Sequence, residues 1–240
     1  MEAATAERHD LPPMESGGHL SETQAKDALA RYGVAMPRRR VAADKNAALE
    51  AFRDLQPPVA LKLVSRVLHK SDVGGVKLDI REESDLLAAV EAIDAAARAH
   101  SIEVQGYLVE EMAARGVEVI VGGLVDPVFG PAILVGLGGI FTEVLDDVAL
   151  RICPISKHEA LDMIREIRAS PLLFGARGCP AVDVDALASV LVALGGPTGF
   201  LMTHCDRVAE VDLNPVIVSQ SGAVAVDARV VLRQDRRNGG

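Results

Sequence analysis

The chain begins to show regular patterning at Ser21. Ser21 and Gln24 make the Ser-x-x-Gln form of a capping box, and Ala25, Ala28 and Leu29 recur at helical spacing until Gly33 closes the helix. A second helix is predicted over Lys45 to Leu55, stopped by Pro57 and Pro58. The β-rich run VALKLV (59–64) and the alternating GVKLDI (75–80) read as partner strands. Ser84 is placed to cap a helix running to about His100, with Leu87, Val90, Ile93 and Ala97 on one stripe. Three apolar β-type runs follow at 104–111, 117–125 and 131–136. Ser156 and Glu159 form another capping box, opening a helix to about Arg168, and a further helix fits Asp183 to Leu194 ahead of Gly195-Gly196-Pro197. Short strands at 208–213, 216–219 and 223–227 complete the pattern. Helices and strands interleave with hairpin-like spacing in the second half, so the class is α+β or mixed α/β rather than all-parallel.

Residues 1–19 mix charge, proline and glycine without apolar periodicity and read as a disordered leader; residues 233–240 read as a flexible, basic, glycine-ended tail. With 240 residues, 49% of them hydrophobic but only 3% aromatic and no Trp, the core must be built from Ala, Val, Leu and Ile. The balance of 25 Lys+Arg against 34 Asp+Glu, net −9, argues against a nucleic acid partner, because phosphate-backbone binding needs clustered cations. Cys153, Cys179 and Cys205 lie far apart with no CxxC spacing, which points away from a disulfide framework or zinc site and toward a reducing cytoplasm. No apolar run reaches the ~20 residues that span a bilayer, and the N-terminus lacks the order of a signal peptide, so no membrane role is expected.

Candidate chemistry is concentrated in three places. Lys62 sits inside an apolar strand, where a cation either snorkels from a sheet edge or requires an anionic partner or a ligand phosphate. The loop after it holds His69, Lys70, Ser71, Asp72, Gly74 and Gly75; glycines let a backbone approach phosphate oxygens, although a Gly-Gly pair is equally a hairpin turn. Glu110 and Glu111 are consecutive on a strand and face opposite ways, with Met112 after them, while Glu118 stands within VEVIVGG and calls for a donor such as a sugar hydroxyl or a cation. In AEVDLNPVIV, period 2 places Glu210, Asp212 and Asn214 on one face, and Asp227 interrupts an apolar strand that would pair beside it. Such oxygen ligands suit magnesium; the plain alternative is the polar outer face of a hairpin. Gly136, Gly138 and Gly139 do not complete GxGxxG, since Phe141 takes the third place, and no P-loop occurs.

In this order, LSETQAKDALARYGV, PVALKL, LHKSDVGGVKL, YLVEEM, GVEVIVGG, DPVFGP, GLGGIFTEVLDD, LFGARGCP and EVDLNPVIV resemble the ATP-grasp β subunit, or β domain, of NDP-forming acyl-CoA synthetases of the ADP-forming acetyl-CoA synthetase type. A more distant similarity, to succinyl-CoA synthetase β chains, is visible at DLNP and Asp227. The resemblance covers roughly residues 20–232 and implies an ATP-grasp fold whose two lobes, 20–108 and 109–232, hold a nucleotide between them. It implies that Lys62 contacts the nucleotide phosphates, that Glu110, Glu111 and Met112 line the adenine and that Glu118 bonds the ribose. Asn214 and Asp227 match the family's magnesium ligands, and Asp212 would orient a phosphohistidine. His69 occupies the place of the histidine that passes phosphate to ADP, with Lys70 and the amides near Gly74 and Gly75 holding the phosphate. Arg151 and Arg177 match family positions without an assigned role. The cofactors implied are ATP/ADP and Mg2+. The CoA-binding module is not among these residues, so a separate α subunit that brings CoA and the carboxylic acid is expected, as a heterotetramer of two α and two β. Two other readings stay open: an ATP-grasp ligase that joins an acyl phosphate to an amine or thiol without a phosphohistidine, and a non-catalytic nucleotide-binding module.

Overall fold

The computed structural model describes residues 10–12, 18–65, 73–138, 147–176 and 180–233. His69, Lys70, Arg177, Cys179 and most of the expected leader and tail lie outside them.

The chain divides into two units, one formed by Pro37–Ala113 and the other by the segments Met1–Met36 and Ala114–Gly240. The boundary expected at 108/109 is replaced by these, for two physical reasons. It would cut a single strand, β4 (Gly106–Glu111), and it would detach helix α1 (Glu22–Ala30), whose Ala25, Ala28 and Leu29 are buried in the core of the larger unit.

In the smaller unit the sheet order is β1 (Arg39–Ala42), β4, β2 (Val59–Val64), β3 (Val76–Ile80), all neighbours antiparallel. Val59, Leu61, Leu63, Tyr107 and Val109 alternate onto the face that packs against α2 (Lys45–Asp54) and α3 (Glu83–Ala99). Asp44 caps α2 by accepting from the Ala47 N–H at 2.9 Å. Ser84 does not cap α3: the helix starts from Glu82, and Asp85 reaches back to accept from the Glu82 N–H at 3.3 Å.

The larger unit is built on the order β10 (Arg229–Leu232), β8 (Val208–Ser219), β5 (Val117–Asp126), β6 (Gly130–Leu137), β7 (Val148–Ile152), with β9 (Gly222–Ala225) pairing the far end of β8. The sheet's inner face, including Val119, Val121, Ile133, Val135, Val211 and Leu213, packs on helices α4 (Lys157–Glu166) and α5 (Val184–Gly195) and the short α6 (Phe200–His204). Both capping boxes read from the sequence are present, Ser21 with Gln24 and Ser156 with Glu159. Gly33, at φ +90°, ends the turn after α1 in the left-handed region that suits glycine. Helix α4 stops short of Arg168 because the Asp147 carboxylate accepts from the N–H groups of Arg168 and Ala169, at 2.8 and 2.9 Å, and holds them in a turn.

The strands expected at 208–213 and 216–219 are one strand, β8, carried past Pro215 by a bulge in which Asn214 and Pro215 face the single residue Ile120. Asp227 does not interrupt a strand; it lies between β9 and β10, where pairing passes from one end of β8 to the other. Part of the expected leader is structured. Leu11 is only 7% exposed within the core, and the Leu232 N–H donates to the Gly18 carbonyl at 2.7 Å. The stretch Val184–His204 has the length and apolarity to cross a membrane, contrary to the expectation from the sequence. Here it is broken into α5 and α6, and Leu187, Leu191, Leu194 and Phe200 are fully buried as core residues.

Cys153 belongs to this core, and burial pushes its thiol up to about 11. At pH 8 only about one molecule in a thousand would then carry the reactive thiolate, and the fraction grows as pH rises. Iodoacetamide at pH 8 is expected to modify the half-buried Cys205 in the native protein and Cys153 only after unfolding, as read by peptide mass spectrometry. Equal native rates at the two would contradict that burial.

Candidate nucleotide and metal site

The smaller unit contributes a buried ion pair. On β2, Lys62 faces away from the helices and is 8% exposed; on β4, Glu110 is 2% exposed on the same face. Lys62 pairs directly with Leu108 and Ala60 with Glu110, so Lys62 and Glu110 are diagonal neighbours across the antiparallel pair. Their Nζ and Oε2 atoms are 2.9 Å apart. Lys62 is therefore no snorkelling edge residue: β2 is an inner strand, and the charge is met by a carboxylate. Such a pair is costly to desolvate and contributes little net stability, so its presence in an aliphatic sheet calls for another reason.

The neighbouring acids are placed differently. Glu111, on the opposite face of β4, takes Arg38 at 3.0 Å and the Gln56 N–H at 3.0 Å. Met112, just beyond β4, gives its N–H to the Pro58 carbonyl at 3.0 Å, and its Sδ accepts from the Asp79 N–H at 3.1 Å. Met112 is 38% exposed at the strand end. Gly74 adopts φ +72°, and the Gly75 carbonyl accepts from Leu63 at 2.8 Å, so this pair turns the chain into β3 within reach of the β2 that carries Lys62.

The larger unit contributes an acidic face. Val211 and Leu213 point into the core, which turns Glu210, Asp212 and Asn214 outward together, as period 2 requires. The bulge at Asn214 and Pro215 then returns Val216 to the core one residue out of phase, so the outward row ends at Asn214. Asp212 has Gly122 opposite it on β5 and Arg229 opposite it on β10. Burial is the main force that raises the Asp212 carboxyl above its usual range. The charge of Asp227 adds to it, Arg229 opposes it, and Glu210 contributes further repulsion. Arg229 was not legible as a site residue, because the strand that carries it lies beyond the last strand read from the sequence.

Among the described residues no three His, Cys, Asp or Glu side chains form a group that could hold a metal. The residue types still fit magnesium, which keeps several waters and takes few protein oxygens: Asn214 and Asp227 would be the residues to hold it, and the repulsion between Asp212 and Asp227 is what a divalent cation would relieve. Glu118 points outward from β5, exposed, opposite Ile217. It needs no buried donor, contrary to the expectation drawn from its apolar neighbours, and it is free of the constraint that fixes Glu110. Arg151 pairs with Glu166 on α4 and donates to the Leu150 carbonyl at 2.8 Å, a structural role within the larger unit.

A buried lysine-glutamate pair in one unit and an acidic sheet face in the other fit a protein that handles a magnesium nucleotide. The chain belongs to the ATP-grasp domain family, which matches it over residues 14–232. It is 41% identical over 216 residues to the β subunit of ADP-forming acetate–CoA ligase I of Pyrococcus furiosus, an alignment that covers 89% of this chain and 91% of that one. A solved structure of the dinucleotide-forming acetyl-coenzyme A synthetase 1 of Ca. Korarchaeum cryptofilum, in complex with coenzyme A, Ca-AMPCP and HgCl+, superposes with a TM-score of 0.85 at 40% identity, covering 90% of this chain and 94% of that chain. A second structure of that synthetase, with coenzyme A and Mg-AMPPCP, has its phosphohistidine segment pointing towards the nucleotide binding site; it matches at a TM-score of 0.77 and 39% identity over 90% of this chain and 93% of that one.

Proposed function

We propose that this chain is the nucleotide-handling β subunit of an ADP-forming acyl-CoA synthetase, catalysing acid + CoA + ATP = acyl-CoA + ADP + phosphate together with a CoA-binding α subunit. The observation that carries this reading is the similarity to a ligase β subunit along nearly the whole of both chains. The assembly is a heterotetramer of two α and two β in the cytoplasm, and the partner brings CoA and selects the acid.

In this reading Lys62 meets the nucleotide phosphates, Glu110 holds its ammonium in place, and Met112 with the strand end at Glu111 receives the adenine. Glu118 accepts from the ribose hydroxyls. Asn214 and Asp227 hold magnesium, which neutralises phosphate charge when bound. His69 is the phosphoryl carrier: its neutral imidazole nitrogen takes the phosphoryl group from the partner's phosphohistidine, and the N–P bond then breaks as a β-phosphate oxygen of ADP attacks, giving ATP and free imidazole. Transfer of this kind depends on positioning and charge neutralisation, the work assigned to Lys70, the amides at Gly74 and Gly75, and the orienting carboxylate of Asp212.

The test is to incubate the purified chain with γ-labelled ATP and magnesium. Acid-labile, base-stable label on the protein is the expected result. A folded, nucleotide-binding chain that takes up no label even with its α subunit present would favour a ligase that works through an acyl phosphate alone.

A further inference from the structure

Helix α1 carries a charge that the nucleotide chemistry does not use. Lys26 is fully buried, with 0% exposure, among Ala25, Ala28 and Leu29. Its ammonium lies 2.8 Å from Glu22 Oε1, one turn earlier, and donates to the Val226 carbonyl at 2.9 Å. A fully buried cation is expensive, and a leucine or methionine would fill the same volume more cheaply. The bond to Val226 ties the helix to the chain just before Asp227.

Val226 immediately precedes Asp227 and is held on both sides. Its N–H donates to the Pro215 carbonyl at 3.1 Å, next to Asn214, and its carbonyl takes Lys26. The preceding Ala225 N–H donates to the Ala35 carbonyl at 2.9 Å, just after α1. With the Val226 carbonyl fixed, the plane of the peptide that leads into Asp227 is fixed, and with it the position of the Asp227 Cα. Asp227 lies between β9 and β10, and its Oδ1 accepts from the Ala228 N–H at 2.8 Å, so its carboxylate is held locally on a backbone that Lys26 anchors one residue earlier.

We infer that Lys26 is a positioning residue for the metal: by holding the Val226 carbonyl it fixes the stretch of backbone that carries Asp227 past Asn214 and Asp212. The inference rests on the assignment of magnesium to Asn214 and Asp227. Groups that orient a metal ligand usually change metal affinity by about 10- to 100-fold when removed. A lysine that served only the core would change stability and leave metal affinity alone.

The experiment measures ATP affinity by calorimetry on the full chain, in excess magnesium and in EDTA, for the wild type, Lys26→Met and Asp227→Asn. For Lys26→Met we expect ATP affinity in magnesium to fall by about tenfold or more while affinity in EDTA stays within about twofold. Asp227→Asn is expected to lose the magnesium dependence as well. An unchanged magnesium-to-EDTA ratio in folded Lys26→Met, with Asp227→Asn impaired, overturns the role of Lys26 alone. An unchanged ratio in Asp227→Asn overturns the metal assignment and the inference with it. If Lys26→Met does not fold, Lys26→Gln is measured against the same criterion. Failure of both to fold assigns Lys26 to the core and overturns the positioning role.

Discussion

Lys62→Met is expected to destabilise the protein by about 3–5 kcal/mol, because it leaves the 2%-exposed Glu110 carboxylate in a low-dielectric sheet without the ammonium 2.9 Å away. For a chain of this size that corresponds to a fall of very roughly 10 °C in melting temperature. Lys62→Met combined with Glu110→Met removes both charges, and replacing such a pair by apolar groups is often neutral or stabilising. The double variant should therefore recover most of the lost stability while its affinity for magnesium-ATP remains at least about tenfold below wild type, the loss of one charged hydrogen bond to phosphate. Chemical denaturation and calorimetry on the two single variants and the double variant close the cycle. A double variant that binds nucleotide normally would reduce the pair to a structural feature and remove Lys62 from the site.

His69→Ala is expected to abolish the acid-labile label and, with the α subunit present, to lower synthetase turnover by about 10³-fold or more, since no other imidazole would stand in for the covalent carrier. Its affinity for magnesium-ATP should stay near that of the wild type, because phosphate and metal are held elsewhere. The pairing of those two readouts matters. Lost label with lost nucleotide affinity would indicate a disturbed site, and retained label would place the phosphoryl group on another residue.

Much of the fold was legible where the signal is local. The capping boxes at Ser21 and Ser156 and the stop at Pro57 and Pro58 depend on residues a few positions apart, and the structure keeps them. Arg39–Ala42 escaped because an edge strand of four residues with three of them exposed or half-buried shows no period. Val148–Ile152 escaped for a related reason: Val148, Leu150 and Ile152 are about half exposed on the outer face, so apolar residues stand where alternation expects polar ones. The site was legible in its residue types and less so in its pairings. Lys62 and Glu110 read as separate contacts to a ligand, and only the antiparallel register of β2 and β4 makes them partners. Lys26 was not legible as a special position, because nothing near it in sequence says that Val226 waits across the fold.

The division of the chain also bears on how the protein is made. Pro37–Ala113 is continuous in sequence, so it leaves the ribosome as a complete unit that can begin to fold during synthesis. Helix α1 emerges before it yet docks on the unit completed last: the Leu20 N–H donates to the Val230 carbonyl at 2.9 Å, and Lys26 must find Val226. Helix α1 is thus an orphan until β9 and β10 appear, with its Lys26, Ala28 and Leu29 in water until then. Loss of β10 would then remove the Val230 carbonyl that holds the chain entering α1, a liability some two hundred residues away in sequence from the change.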